Sequence, residues 1–273
     1  MLRYQQKKLI FTSMKAIRFL LLGALLAVGC AESVETRSKI KEEEVKMQGD
    51  LVPLEKSEDP VPGMSILIHK GDTLVSVDHF NKNIWWELKY ATEDNFMHRI
   101  LYDTLKKPYV QIDIARRLAK SQEYLTGRDS GYHLLVYDAL RPLSVQWEMW
   151  NALDTIPAFE RGKFVSNPRN GSVHNYGAAV DLTICNSKRK PLDMGAGYDD
   201  IRKIAYPSLE SEFLASGEIT QRQIDNRKLL RRALKSQGFS NIPTEWWHFN
   251  AFPRPVVKVK YQIVTSELAD QIN

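Results

Sequence analysis

The sequence predicts a single α+β domain preceded by a targeting segment and a charged tether. Two observations carry the class. Strand-like runs and helical stretches are mixed without the regular βαβ alternation of a parallel sheet, and no glycine-rich phosphate loop opens a helix. At 273 residues the chain is long enough to bury a sizeable core.

In chain order, the first element is a targeting signal. Lys15 and Arg18 precede an apolar run from Phe19 to Val28, too short to span a bilayer but suited to a signal-peptide core. The run ends Ala27-Val28-Gly29-Cys30, small residues leading into a cysteine, which resembles a bacterial lipobox with Cys30 as the lipidated residue. Residues 1–29 are therefore expected to be a signal peptide, with Met14 a better start than Met1. From residue 30 to 60 the chain turns to Glu, Lys, Ser and Asp, including Glu42-Glu43-Glu44. Such a stretch cannot bury enough apolar surface to fold and reads as a solvated tether. The expected folded domain covers residues 61–273.

Within it, residues 84–92 are aromatic-rich and partly alternating, which predicts a strand. Val110 to Thr126 places Ile114, Ala115, Leu118 and Leu125 near helical spacing, with Gly127 at its end. Tyr132 to Tyr137 reads as a buried strand, and Pro142 can start a helix over Leu143 to Leu153. Thr220 with Gln223 has the form of a capping box opening a helix whose apolar face is Leu229, Leu230, Ala233 and Leu234, stopped at Gly238. Val256 to Val264 looks strand-like.

Charge excludes one function class. The formal net charge is +5, from 38 basic and 33 acidic residues. Five of the basic residues (Arg3, Lys7, Lys8, Lys15, Arg18) precede Cys30 with no acid among them, so the mature chain is balanced at 33 of each. Nothing in that balance favours nucleic acid. With only two cysteines and Cys30 lipidated, no disulfide framework is available, and Cys185 reads as a small buried hydrophobe.

The chemistry concentrates in Ser172-Val-His174-Asn-Tyr-Gly-Ala-Ala-Val-Asp181. An imidazole and a carboxylate are both good ligands for a borderline cation such as Zn²⁺. A third ligand is available in Glu245-Trp-Trp-His248. On a regular strand residues three apart point to opposite faces, so the backbone must bend there for both to meet one site; Pro243 makes irregular backbone plausible. A lone Glu-x-x-His is more often structural than catalytic, but here it follows a His-x₆-Asp pair in the same domain. His69, His79, His98 and His133 match no motif and read as surface or satisfied core histidines.

Together Ser172-x-His174-x₆-Asp181 and Glu245-x-x-His248 resemble the zinc D,D-peptidases. Asp138-Ala-Leu-Arg141-Pro, Met194-Gly-x-x-Tyr198-Asp199 and Tyr90-Ala-Thr-x-Asp-Asn-Phe96 extend the resemblance to their D-alanyl-D-alanine dipeptidase, or VanX-type, branch. It runs from about Met64 to Pro255. It implies an antiparallel sheet with flanking helices in the zinc D,D-peptidase, hedgehog-like, fold. It further implies one Zn²⁺ held by His174, Asp181 and His248, Glu245 as the base, and Arg141 as the donor to the tetrahedral oxyanion. By the same resemblance Asp199 and Tyr90 meet the ammonium of a free dipeptide and Ser172 meets its terminal carboxylate. Simpler roles compete for these three: a turn cap for Ser172, a core position for Tyr90, a helix cap for Asp199.

The implied activity is hydrolysis of D-alanyl-D-alanine to free D-alanine. The lipobox places the domain outside the cytoplasm, lipid-anchored in a bacterial cell envelope. That location suits turnover of wall peptides better than antibiotic resistance, which requires the dipeptide to be removed before it enters the precursor. A D,D-carboxypeptidase trimming stem peptides is the alternative. An inactive wall-binding lipoprotein is disfavoured by the presence of both Glu245 and Arg141.

Overall fold

The computed structural model describes residues 66–267. The signal peptide, Cys30, the tether and the first residues of the expected domain lie outside the described residues.

The described chain opens with a hairpin, β1 (Ile66–His69) and β2 (Asp72–Ser76), closed by Lys70 and Gly71, both at positive φ. That is the backbone a two-residue hairpin turn requires to match strand twist. A third strand, β4 (Tyr109–Gln111), pairs antiparallel with β2 to complete a small sheet. β4 runs directly into helix α1 (Ile112–Thr126), which buries Ile114, Ala115, Leu118, Ala119, Gln122 and Leu125. Their spacing lays one stripe against the core. Truncating fully buried Leu118 to alanine is expected to cost roughly 2–5 kcal/mol.

The second sheet carries the site. Its five strands are ordered β3 (Trp85–Trp86), β5 (His133–Asp138), β6 (Ala179–Cys185), β8 (Glu245–Asn250), β7 (Ser240–Ile242). All pairings are antiparallel except the short edge contact of β3 with β5. Every residue of β5 and β6 is buried, which explains their nearly unbroken apolar sequences. Helix α2 (Leu143–Ala152) begins immediately after Pro142, as its ring predisposes. Helix α3 (Glu210–Ser216) precedes α4 (Gln221–Lys235), and α4 carries the predicted capping box: Thr220 Oγ1 accepts from Gln223 N at 3.3 Å, and Gln223 Oε1 accepts from Thr220 N at 2.7 Å. The architecture is α+β with largely antiparallel sheets and flanking helices, as the sequence predicts.

Two local expectations fail. Residues 84–92 contribute only a two-residue strand; Lys89–Ala91 instead form a 3₁₀ turn that buries Tyr90. Leu101 N and Tyr102 N both donate to Tyr90 O and hold the chain in that turn, so the aromatic run is spent on packing rather than on a ladder. The strand-like Val256–Val264 is mostly a helix, α5 (Arg254–Lys260). Pro255 in its first turn fixes a helical φ, which outweighs the β preference of the valines; Val257 is buried while Val259 is 90% exposed. Gly127 ends α1 in right-handed rather than left-handed geometry.

Candidate active site

Each site residue sits where a local feature presents it. His174 lies in a 3₁₀ turn, Val173–Tyr176, between buried Ser172 and Gly177. Ser172 Oγ accepts from His174 N, and Asn175 Oδ1 accepts from Ser172 N at 2.6 Å. Gly177 takes φ +62°, and a Cβ there would meet Leu74 Cδ2 at 2.7 Å. Any side chain at this left-handed turn would be strained and would displace Leu74 of β2, so glycine suits the turn that returns the chain from His174 into β6. Four residues later Asp181 projects from the centre of β6, in register with His248 of β8.

The bend expected at Glu245–His248 is present. Ile242 of β7 pairs with Glu245, but the adjacent Asn241 pairs with Phe249, so Trp246, Trp247 and His248 are extra residues of β8. This bulge turns the strand, and both Glu245 and His248 line the same pocket while the two tryptophans are buried. The pocket has a volume of about 320 Å³ and also contains Tyr90, Arg141, Ser172, His174, Asp181 and Asp199. Every predicted catalytic, metal and substrate residue of the described chain is therefore brought to one cavity.

The donor set suits a metal. His174 Nε2, His248 Nδ1 and Asp181 Oδ1 converge, with separations of 3.1 Å between the nitrogens and 3.3 and 3.0 Å to the oxygen. Ligands held 2.0–2.1 Å from a tetrahedral zinc lie roughly 3.3 Å apart. The far sides of the rings fix the tautomers. His174 Nδ1 is 2.6 Å from the carbonyl oxygen of Ala139, which can only accept, so Nδ1 carries the hydrogen and Nε2 a lone pair. His248 Nε2 likewise donates to Asn250 Oδ1 at 2.9 Å, leaving Nδ1 bare. Two lone pairs and a carboxylate face one another inside the protein, an arrangement that calls for a cation among them. Burial opposes ionised Asp181, and its carboxyl is held well below the usual range only where positive charge and donated hydrogen bonds at His174 and His248 outweigh that burial; a cation seated between the two lone pairs would supply the same compensation.

Glu245 is no part of that triangle; its Oε2 lies 3.9 Å from His248 Nδ1. About a third of its side chain is exposed at the pocket mouth. The pocket's desolvation nevertheless raises its pKa, assisted by the charge of Asp181 and opposed by His248. A carboxylate with a raised pKa, beside a metal-binding triad but outside it, is placed to accept and return a proton.

Arg141 is buried, 8% exposed, and held on three sides. Its Nε and Nη2 donate to Asp138 Oδ2 at 2.9 and 2.6 Å, and Nη1 donates to Gln146 Oε1 at 3.3 Å. Nη2 also reaches Asp181 Oδ2 at 3.5 Å, and the Tyr90 ring lies 5.0 Å beneath the guanidinium. Burial works against its charge, but Asp138 more than compensates, so Arg141 remains a fixed cation. Asp138 in turn accepts from Tyr102 Oη at 2.6 Å. The roles of Asp138, Tyr102, Gln146 and Asn250 were not legible in the sequence. Asp138 at least stands in a recognised motif; Tyr102, Gln146 and Asn250 carry no local signal.

Asp199 lines the same pocket. It adopts φ +58°, uncommon for a residue other than glycine and a form of strain that clusters at functional sites. Tyr90 Oη donates to its Oδ2 at 3.0 Å. Burial and the nearby Asp181 charge push its pKa well above the usual carboxylate range, so a positive charge beside it would favour its ionised form. Tyr198 Oη, from the same segment, donates to Asp181 Oδ2 at 3.3 Å. Outside the pocket, Cys185 is fully buried and His133 is satisfied by Asn83 O and stacked on Trp85, the structural roles expected of them.

Comparison with known proteins gives a consistent result. The Peptidase_M15 family profile, described as D-ala-D-ala dipeptidase, matches residues 70–266. The match extends beyond Pro255, where the motif resemblance stops, to the segment following α5. A D-alanyl-D-alanine dipeptidase of Escherichia coli is 34% identical over 163 residues, 60% of this chain and 76% of its own. One from Enterococcus faecalis is 27% identical over 203 residues, 70% of this chain and 96% of its own. Among solved structures, a zinc complex of a vancomycin-resistance D,D-pentapeptidase VanY mutant aligns with a TM-score of 0.30 and 14% identity over 58% of this chain and 81% of its own, too distant to carry an argument.

Proposed function

The chain belongs to the D-ala-D-ala dipeptidase family of peptidases, and from that premise we propose that it hydrolyses the free D-alanyl-D-alanine dipeptide in cell-wall peptide turnover, with one Zn²⁺ held by His174, Asp181 and His248. The observation that carries this reading is the convergence of that triad with Glu245 and Arg141, neither of them a ligand, in one pocket. A purely structural metal site has no use for either.

Zinc bound by the triad supplies a Lewis acid that activates water and polarises the scissile carbonyl. Glu245 takes the proton from the attacking water as the new C–O bond forms, and then delivers it to the amine nitrogen as the C–N bond of the tetrahedral species breaks. Arg141 donates to the carbonyl oxygen as that oxygen gains charge, from a position fixed before the substrate arrives. Asp199, with Tyr90 bonded to it, receives the substrate ammonium. An opposite charge there restores the ionised state that burial disfavours. Ser172 has its hydroxyl engaged as a turn cap, yet it lines the pocket and is assigned to the terminal carboxylate.

The Lys15–Cys30 segment supports a lipid-anchored location in a bacterial cell envelope; fatty-acid labelling that is lost in Cys30→Ser tests it. The substrate reading is tested by assaying the purified protein on D-Ala-D-Ala beside an N-blocked pentapeptide ending in D-Ala-D-Ala. Preference for the free dipeptide supports the proposal, and equal or better cleavage of the pentapeptide replaces it with the D,D-carboxypeptidase alternative.

A further inference from the structure

Arginine has five N–H donors in a planar fork. In Arg141 four of them are directed at protein acceptors: Nε and one Nη2 hydrogen at Asp138, the other Nη2 hydrogen at Asp181, and one Nη1 hydrogen at Gln146. The fifth, on Nη1, has no protein acceptor among the described residues. It is the donor left for a substrate oxygen, and its direction depends on where its sister hydrogen is held. Asp138 grips the Nε and Nη2 edge of the fork; only Gln146 grips Nη1.

Gln146 is built for that task. It is fully buried on the first turn of α2, the helix that starts directly after Arg141-Pro142. Its amide cannot turn over freely, because Nε2 donates to the carbonyl of Ser166 at 2.9 Å. Ser166 O can only accept, so the donor end of the amide must face it and the acceptor end must face Arg141. Ser166 itself belongs to the pocket wall with Phe164 and Val165. A buried glutamine with both ends engaged by fixed partners, in a helix that otherwise buries Val145, Met149 and Trp150, is not explained by packing alone. Any apolar side chain of similar volume would fill the same space without a polar group to desolvate.

We propose that Gln146 is a positioning residue for the hydrolysis, holding Nη1 of Arg141 so that its remaining hydrogen points at the developing oxyanion. The inference rests on the catalytic reading of Arg141 above. An interaction realised mainly in the transition state acts on kcat, and misaiming a donor by an ångström can cost on the order of 10²-fold.

The test compares two near-isosteric variants of the holoenzyme. Gln146→Met keeps the volume and removes the acceptor. Gln146→Glu keeps an acceptor toward Arg141 in either protonation state. The expected result is a fall in kcat of roughly 10- to 100-fold for Gln146→Met, with zinc content unchanged and KM altered much less, and recovery of most of that loss in Gln146→Glu. Affinity for a phosphinate analogue of the dipeptide, which carries the tetrahedral oxyanion, is expected to fall in parallel with kcat/KM. Gln146→Met with kcat within twofold of wild type overturns the proposal. So does Gln146→Glu falling as far as Gln146→Met, which would mean that an acceptor facing Arg141 is not what sustains kcat. If Gln146→Met proves too unstable to assay, the decision falls to Gln146→Glu alone: kcat near wild type supports the proposal, and a fall of tenfold or more overturns it. Absence of wild-type activity on any D,D-peptide would instead remove the functional reading, an outcome distinct from both.

Discussion

Asp181 and His248 are register partners on adjacent antiparallel strands, and their side chains meet with Asp181 Oδ1 3.0 Å from His248 Nδ1. Directly opposed residues of an antiparallel pair lie within side-chain reach, so two of the three proposed metal ligands are brought together by sheet register. His174 is added from a turn whose position depends on Gly177.

Removing a ligand should therefore remove the metal, whereas removing the base should not. His174→Ala and His248→Ala are expected to purify without zinc and without activity, and Glu245→Ala with one zinc per chain and almost no turnover. Metal analysis by mass spectrometry beside the activity assay checks both. A His248→Ala protein that retains stoichiometric zinc would end the ligand assignment. Arg141→Ala should keep its zinc and lose on the order of 10²–10³-fold in kcat, as expected for an oxyanion donor.

The chemistry was legible in the sequence to a degree that the supports of the chemistry were not. His174, Asp181, Glu245 and His248 stand out because the metal ligation and proton transfer proposed for them need particular side chains, and their spacings together match a family pattern. The buried strands β5 and β6 and the capped helix α4 were legible for a similar reason, since burial and capping leave local patterns. Asp138, Tyr102 and Gln146 act on Arg141 through contacts that only the folded chain creates; Tyr102 reaches Asp138 across 36 residues. The misread Val256–Val264 shows the reverse case, where one proline decided against a valine-rich pattern.

Asp199 should discriminate substrates by charge. A free dipeptide presents its ammonium one residue from the scissile carbonyl, and burying that charge is costly without an anion. Wild type is expected to lose most activity when D-Ala-D-Ala is acetylated. Asp199→Asn should lose activity on the free dipeptide and much less on the acetylated one. Equal losses on both substrates would reduce Asp199 to a structural role.

Cys185 should be chemically silent. It is fully buried with Leu135 and Tyr137, and burial pushes its thiol up to about 11. Since the thiolate is the reactive form, low access and a raised pKa act in the same direction. In a Cys30→Ser background, where Cys185 is the remaining cysteine, a thiol reagent at pH 8 should label native protein negligibly and denatured protein stoichiometrically. Rapid labelling of the native form would contradict the burial.

The segment after α5 should contribute stability that depends on pH. Glu267 crosses to the loop before β4, where its carboxylate accepts from the backbone N–H groups of Asp103, Thr104 and Leu105 and from Thr104 Oγ1. The same segment bonds Val264 N to Asn175 O, beside His174, and offers Val264 O to Leu143 N at the start of α2. Partial burial works against the Glu267 charge, but the Thr104 hydroxyl and the three amides outweigh it and hold its pKa below the usual glutamate range. A depressed folded-state pKa stabilises above the unfolded value, and that contribution disappears as pH falls through the folded one. Allowing for solvent screening at this partly exposed site, Glu267→Gln is expected to cost about 1 kcal/mol at pH 7, or a Tm lower by roughly 2–4 °C for a domain of this size. In acid, as pH falls through this lowered pKa, the wild type becomes protonated too, so the gap should narrow. Thermal unfolding followed by circular dichroism at pH 7 and in acid decides the matter: a Tm difference that persists unchanged into acid, or is absent at pH 7, would show that the carboxylate does not anchor this segment.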